Sequence, residues 1–323
     1  MKKIIVLIMG LLFLTGCGSN KDKVIIYSCT EENVTQGLTQ KLKEDLPDVD
    51  VVIQSISTGN LAAKIKTEGS NIEADIVLDL ETSHAENLKE NFADISEYDV
   101  SIYTDIVKNS NKYLIWTKSS IGLIVDNKYL KEHNLSVPTS YSDLLNKKYK
   151  GLIAMPDPKT SGTGYAFFLN AVNEMGEDEA VKYFNKLKNN LREFTASGSG
   201  PSNLLKQGEI AIGMGMVSQG AAAINEGYDF SIVELDTGAL YNTTSFAIIK
   251  GKEKNENVKK VYEYLVKTGV KYNAENFFPE GITKNEVSNF KNYPIFKKSA
   301  NMNGFDDIKV KEHLTEVWSK VNG

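Results

Sequence analysis

The chain has 323 residues, 41% of them hydrophobic, and a formal net charge of −5. That length and apolar content suffice for two domains, each with a packed core. An acidic chain without a basic run argues against nucleic acid as a partner and against an electrostatic grip on anionic lipid.

Lys2 and Lys3 precede an apolar run, Ile4–Leu14, that is too short to cross a bilayer, a task for about 20 apolar residues. Leu14-Thr15-Gly16-Cys17 follows, and then the polar Gly18-Ser19-Asn20-Lys21-Asp22. This is the order of a secretory signal with a small residue ahead of the cleavage point. The signal is read as residues 1–16 and the segment 17–23 as a tether. Removing the first 16 residues leaves 307, and the loss of Lys2 and Lys3 takes the net charge from −5 to −7. No later stretch is apolar and long enough to span a membrane. Of the two cysteines, Cys17 begins the tether, so Cys29 has no partner for a disulfide within the chain. Stability must come from packing.

Lys23–Ser28 reads as a buried strand, followed by a helix with Val34, Leu38, Leu42 and Leu46 on one face. Val49–Ile53 is a second strand, Ser57-Thr58-Gly59 opens a helix through Leu61 and Ile65, and Ala74–Asp79 is a third strand. Strands alternating with helices predict parallel pairing through right-handed crossovers. Ile121–Val125 and Leu152–Met155 are strands, and Ser161-Gly162-Thr163-Gly164 opens a helix to about Met175. Ala180, Val181, Phe184, Leu187 and Leu191 mark the inner face of the next helix. Ser197-Gly198-Ser199-Gly200-Pro201 starts another, with Pro201 in the first turn, where its missing N–H costs nothing. Ile210–Met214, Ser231–Leu235 and Thr244–Ile249 are strands. Val258, Val261, Tyr262, Leu265 and Val266 form an amphipathic helix, and Val310, Leu314, Val317 and Trp318 the last one. The expectation is an α/β chain in two lobes around a central cleft. Lobe 1 comprises 24–115 plus 240–280, and lobe 2 comprises 116–239 plus 281–323. The chain crosses near Tyr113–Val125 and returns near Ser231–Ile249. Ligands of such sheets sit at the carboxyl ends of the strands.

Three loops share one chemistry: Ser57-Thr58-Gly59, Ser161-Gly162-Thr163-Gly164 and Ser197-Gly198-Ser199-Gly200. Each precedes a predicted helix, whose first N–H groups are unpaired and whose dipole is positive there. Glycine admits a ligand to the backbone, and serine and threonine add hydroxyl donors. Together they suit a phosphate, phosphonate, sulfate or carboxylate without lysine or arginine. Ser and Thr at helix starts also serve as ordinary caps. Ser28 and Thr30 follow the first strand. Glu31 and Glu32 stand nearby, and Asp79 and Glu81 lie at the third strand, where a carboxylate can pair with an ammonium of the ligand. Tyr27, Tyr165 and Tyr241 are candidate walls. His84, His133 and His313 lack metal-ligand spacing, no Gly-x-Ser-x-Gly elbow occurs, and Gly213-Met214-Gly215 lacks the third glycine of a dinucleotide fingerprint. Neither a metal nor a cofactor is expected, and no catalytic set stands out.

The ending Leu14-Thr15-Gly16-Cys17 resembles the lipobox of bacterial lipoproteins, which implies a lipid on Cys17. Nearly all of the chain after the signal resembles a lipoprotein substrate-binding component of an ABC importer, in the family of the ferric-iron, 2-aminoethylphosphonate and hexose-phosphate binding proteins. The segments that carry this are Val24-Ile25-Ile26-Tyr27-Ser28, Ser57-Thr58-Gly59-Asn60-Leu61, Ala74-Asp75-Ile76-Val77, Ser199-Gly200-Pro201 and Phe246-Ala247-Ile248-Ile249-Lys250-Gly251. Most specific is Asp157-Pro158-Lys159-Thr160-Ser161-Gly162-Thr163-Gly164-Tyr165. The resemblance implies the type II periplasmic-binding-protein fold with two crossover strands and hinge closure. It implies a monomer held by lipid on the outward face of the cell membrane, with ABC permease and ATPase subunits as partners. Iron-binding members carry paired tyrosines just after the strand matching Ile210–Met214, where this chain has Met216-Val217-Ser218-Gln219-Gly220. They tend to place a histidine after the first strand, where this chain has Thr30-Glu31-Glu32. A ferric site wants phenolate and carboxylate oxygens, whereas Ser218 and Gln219 suit an organic polar ligand. The expected ligand is 2-aminoethylphosphonate or a similar phosphonate, ahead of a sugar phosphate and then ferric iron. A surface adhesin or an enzyme on the same fold is the alternative from another class.

Overall fold

The computed structural model describes residues 23–30, 32–104, 109–284, 289–296 and 298–321. The expected signal, the anchor Cys17, most of the tether and Glu31 lie outside the described residues.

The first part of the chain runs β1 (Lys23–Ser28), α1 (Glu32–Asp45), β2 (Asp50–Ser55), α2 (Thr58–Glu68), β3 (Ile76–Glu81) and α3 (Thr82–Asn87). The four-residue apolar spacing of α1 buries Val34, Leu38 and Leu42, and α2 buries Leu61, Ala62 and Ile65. β4 (Leu114–Asp126) is thirteen residues long and almost wholly buried. Then come α4 (Asn127–Glu132), β5 (Ile153–Pro156), α5 (Gly162–Met175), α6 (Glu177–Leu187), β6 (Leu191–Thr195), α7 (Gly200–Lys206), β7 (Ile212–Met216), α8 (Val217–Asn225) and β8 (Phe230–Val233). β9 (Leu240–Ile248) is followed by α9 (Glu256–Tyr264), a π-helical turn at Leu265–Gly269, α10 (Val270–Asn276) and finally α11 (Ile308–Trp318).

One nine-stranded sheet runs through the molecule in the order β2-β1-β3-β9-β4-β7-β5-β6, with β8 also paired to β4. β1 pairs in parallel with β2 and β3, and β5 with β6 and β7, as the alternating pattern predicts. β4 and β9 pair antiparallel with each other. Two main hydrophobic cores flank this pair. One gathers Ile26, Leu38, Ile65, Leu78, Trp116, Phe246 and Tyr262; the other gathers Ile121, Phe168, Phe184, Met214, Leu240 and Trp318. β4 and β9 each contribute to both cores, so each strand belongs half to one side and half to the other.

Two expectations change. Leu191 does not continue the helix of Ala180 and Phe184; α6 stops at Leu187 and Leu191 opens β6, an edge strand. The backbone turns at Lys188–Asn190, where the Asn190 side chain donates to the carbonyls of Leu144 and Asn146. β3 also begins and ends two residues later than read, so Glu81 lies inside it and not beyond it. Asp79 has a φ of +62°, in the left-handed region. It sits where the β3–β9 register shifts between Val77 and Leu80. This is a bulge, which turns a side chain out of the regular alternation.

Candidate functional site

Between the carboxyl ends of the strands lies a cavity of about 660 Å³. One wall is built by Cys29 after β1, Ser57-Thr58-Gly59 at the start of α2, and Asp79 and Glu81 of β3. The facing wall is built by Thr160–Thr163 at the start of α5, Ala196–Ser199 ahead of α7, and Met216 at the end of β7. The floor is Thr117 and Ser119 of β4 with Asn242 and Thr244 of β9, and Phe278 closes one edge.

Ser57, Thr58, Gly59, Asp79, Glu81, Ser161, Gly162, Thr163, Ser197 and Ser199 are thus brought into one lining. The capping alternative separates them. Ser161 does cap α5, its Oγ accepting from the Gly164 N–H at 3.4 Å. Ser57 and Ser199 stand at N-cap positions and make no side-chain cap bond. Their hydroxyls are not spent on their helices, although Ser197 and Ser199 lie within 3.1 Å of each other. Two glycines are required by close approach. A methyl group on Gly164 would come 2.2 Å from the carbonyl oxygen of Pro156, and one on Gly198 would come 2.9 Å from the Thr163 hydroxyl.

Both acidic residues are engaged. Asp79 Oδ2 accepts from the Thr30 hydroxyl at 2.7 Å, and Asp79 Oδ1 accepts from the Thr244 hydroxyl. Thr117 and Thr244 hydroxyls are 2.7 Å apart; because Thr244 gives its proton to Asp79, Thr117 is the donor to Thr244. Glu81 accepts from Ser83 at 2.7 Å and from the Lys311 ammonium. Burial alone would raise the Glu81 carboxyl, but the charge and hydrogen bond of Lys311, with the Ser83 hydroxyl, outweigh it and hold it below its ordinary range. The Cys29 thiol is pushed up to about 12, chiefly by burial, with Asp79 and Glu81 adding to the rise against a hydrogen bond with Thr58. It is a protonated thiol in this setting.

Seven other predicted residues stand outside the lining. Tyr27 belongs to the first core and its hydroxyl donates to Glu73 at 2.9 Å, away from the cavity. Ser28 is fully buried at the end of β1, where its Oγ accepts from the Thr30 N–H, and Thr30 reaches the site only through Asp79. Ser218 lies in the first turn of α8 behind Met216. Tyr241 lines a separate cavity of about 990 Å³ with Tyr113 and Asp306, and Lys118 lies 4.6 Å from its ring centroid. Its neighbours Asn242 and Thr244 face other ways because β9 is a strand. Tyr165 is packed in the second core. Glu32, the first residue of α1, is not among the lining residues either.

Sequence reading missed Thr117, Ser119, Asn242 and Thr244. The register pairs Thr117 with Thr244 and Ser119 with Asn242, so four polar side chains share one face of two otherwise apolar strands. Polar residues at two-residue spacing inside such strands were the available signal. The Asn242 side-chain oxygen is buried and accepts no hydrogen bond.

The sequence profile of a family described as bacterial extracellular solute-binding protein matches residues 44–309. An uncharacterised protein of Haemophilus influenzae is 24% identical over 270 residues, 77% of this chain and 74% of that one. A Salmonella typhi protein named as a putative 2-aminoethylphosphonate-binding periplasmic protein is 24% identical over 218 residues, 64% of this chain; the match spans 62% of its length. Among solved structures, the periplasmic binding protein P5PA aligns with a TM-score of 0.76 and 23% identity, covering 92% of this chain and 98% of its own. The apo ferric ion-binding protein A of Pasteurella haemolytica aligns at 0.77 and 17% identity, covering 93% and 98%. The likeness to these structures gives the fold: the type II periplasmic-binding-protein architecture, with the sheet curling through two lobes.

Proposed function

The chain belongs to the bacterial extracellular solute-binding proteins, and from that premise we propose that it captures a small aminated phosphonate, 2-aminoethylphosphonate or a near analogue, for delivery to an ABC permease. The observation that carries this reading is the lining of the cleft. Ser57, Thr58, Ser161, Thr163, Ser197 and Ser199 bring hydroxyls to both walls, and Asp79 and Glu81 bring carboxylates to one of them. Hydroxyl donors serve an anion; carboxylates serve an ammonium. A ligand carrying both charges uses both halves of the lining. Ferric iron favours phenolate and carboxylate oxygens, and at the end of β7 the lining receives the thioether of Met216 and no tyrosine. The name of the Salmonella relative points the same way.

The reading includes a lipid on Cys17 that holds the protein outside the membrane. It also includes two lobes, 24–115 with 240–280 and 116–239 with 281–323, which close on the ligand by bending β4 and β9. The two separate cores on either side of these strands support that division. Calorimetry with 2-aminoethylphosphonate, ethylphosphonate, a hexose phosphate and a ferric salt tests the ligand. Binding of 2-aminoethylphosphonate ahead of the others is expected. A preference for the ferric salt, with a phenolate charge-transfer band, overturns the reading.

A further inference from the structure

The cavity continues past Glu81 into an adjoining space of about 630 Å³, which shares Thr58, Glu81 and Gly162 with it and adds His84, Lys159 and Lys311, of which Lys311 is paired with Glu81. The Lys311 ammonium donates to Glu81 Oε1, and the two side chains are largely withdrawn from water, 17% and 11% exposed. They come from opposite sides of the cleft. Lys311 rides on α11, which is anchored in the second core by Leu314, Val317 and Trp318, whereas Glu81 ends β3, whose Ile76, Leu78 and Leu80 lie in the first. Glu81 Oε2 faces Gly162 so closely that a Cβ there would stand 3.1 Å away, and both residues line the cavity.

The hydroxyl-lined part of the cavity holds two carboxylates and neither lysine nor arginine. Building on the proposed phosphonate reading, we infer that Lys311 and Glu81 form an exchangeable ion pair that makes the cleft selective for zwitterions. The anionic end of the ligand takes over Lys311, and its ammonium takes over Glu81. A buried carboxylate stripped of its cation is strongly disfavoured. A simple anion that draws Lys311 away leaves Glu81 in that state. A zwitterion brings a cation with it, and every buried charge stays paired. Lys311, the cation paired with Glu81, is therefore the specificity-determining residue.

The test is calorimetry of the full chain with 2-aminoethylphosphonate and ethylphosphonate, on the wild type, Glu81→Gln, Lys311→Met and the double variant. The wild type is expected to prefer the aminated ligand by at least about tenfold, the worth of a hydrogen bond between charged groups. Glu81→Gln collapses that ratio, weakening the aminated ligand and strengthening ethylphosphonate because Lys311 is released. Lys311→Met weakens ethylphosphonate by about tenfold or more and 2-aminoethylphosphonate by less, because Glu81 is released to the ligand's ammonium. The double variant leaves no buried charge unpaired, so its melting temperature without ligand stays at or above those of the single variants while its discrimination is lost. An unchanged ratio in Glu81→Gln, with wild-type affinities in Lys311→Met, overturns the exchange and leaves the phosphonate reading standing. A wild type that binds neither phosphonate overturns that reading and this inference with it.

Discussion

Thr117 and Thr244 face each other across the β4–β9 pair with their hydroxyl oxygens 2.7 Å apart, and Thr244 hands its own proton on to Asp79. This relay ties the two strands shared by both cores to the bulge that turns Asp79 towards the cleft. Thr244→Val removes the middle of the relay and leaves both neighbours short of a partner. A stability loss of about 1–3 kcal/mol follows from the unmade bonds, measured by denaturant unfolding without ligand. Unchanged stability would show that the relay is dispensable.

The three hydroxyl loops should separate under alanine substitution. Ser161→Ala removes a helix cap and should cost about 1 kcal/mol of stability. Ser57→Ala and Ser199→Ala remove no cap and should leave stability near wild type. Each should still weaken 2-aminoethylphosphonate by about 1.5–3 kcal/mol if its hydroxyl meets the charged end of the ligand. Thermal melts paired with calorimetry give both numbers; wild-type affinity in Ser57→Ala and Ser199→Ala would move the anion elsewhere.

Gly198→Ala places a methyl group 2.9 Å from the present position of the Thr163 hydroxyl. That hydroxyl is the end of a side chain and can swing away, so the fold should survive while the cleft loses a donor. Affinity should fall as far as in Thr163→Ala, and combining the two should add little, because neighbours that act through one group are not additive. Gly164→Ala differs in kind. Its methyl group would meet the Pro156 carbonyl oxygen at 2.2 Å, a backbone atom that cannot swing away, and soluble expression should drop.

Glu81 gives the apo protein an acid-sensitive element. Its carboxyl is held below the ordinary glutamate value of 4.5: burial opposes ionisation, but Lys311 and Ser83 prevail. A lowered folded pKa means that its contribution to stability is fully present above the unfolded value and is lost as pH falls through the folded one. Melting temperatures followed from about pH 7 down to about pH 3 should therefore decline less steeply in Glu81→Gln than in the wild type. Parallel curves would show that the pair adds nothing to folding.

Cys17→Ser should release the protein from membranes. Acylation contributes about 0.8 kcal/mol per buried CH₂, and stable anchoring needs more than one chain. Fractionation of cells expressing both forms reads the outcome. An unmodified Cys17 in the intact mass of membrane-extracted protein would remove the anchor.

What could be read along the chain was whatever neighbouring residues decide among themselves. The apolar spacing of Val34, Leu38 and Leu42 commits α1 to one buried face, and Ser161 followed by glycines commits α5 to start where it does. Alternating strands and helices imply the parallel pairing of β1 with β2 and β3. The hydroxyl loops were legible for the same reason, since a helix start and its donors are local chemistry. The cleft floor was not, because only strand register sets Thr117 opposite Thr244 and Ser119 opposite Asn242. Nor was the fate of the carboxylates. Glu81 meets Lys311 across 230 residues of chain, and the bulge at Asp79 arises only when β3 pairs with β9. Tyr27 and Tyr241 illustrate the remainder: a tyrosine is equally at home in a core or a wall, and the direction of its strand's pleat decides which. Charge compensation and side-chain direction depend on contacts that form after the chain has folded back on itself, and no local pattern encodes them.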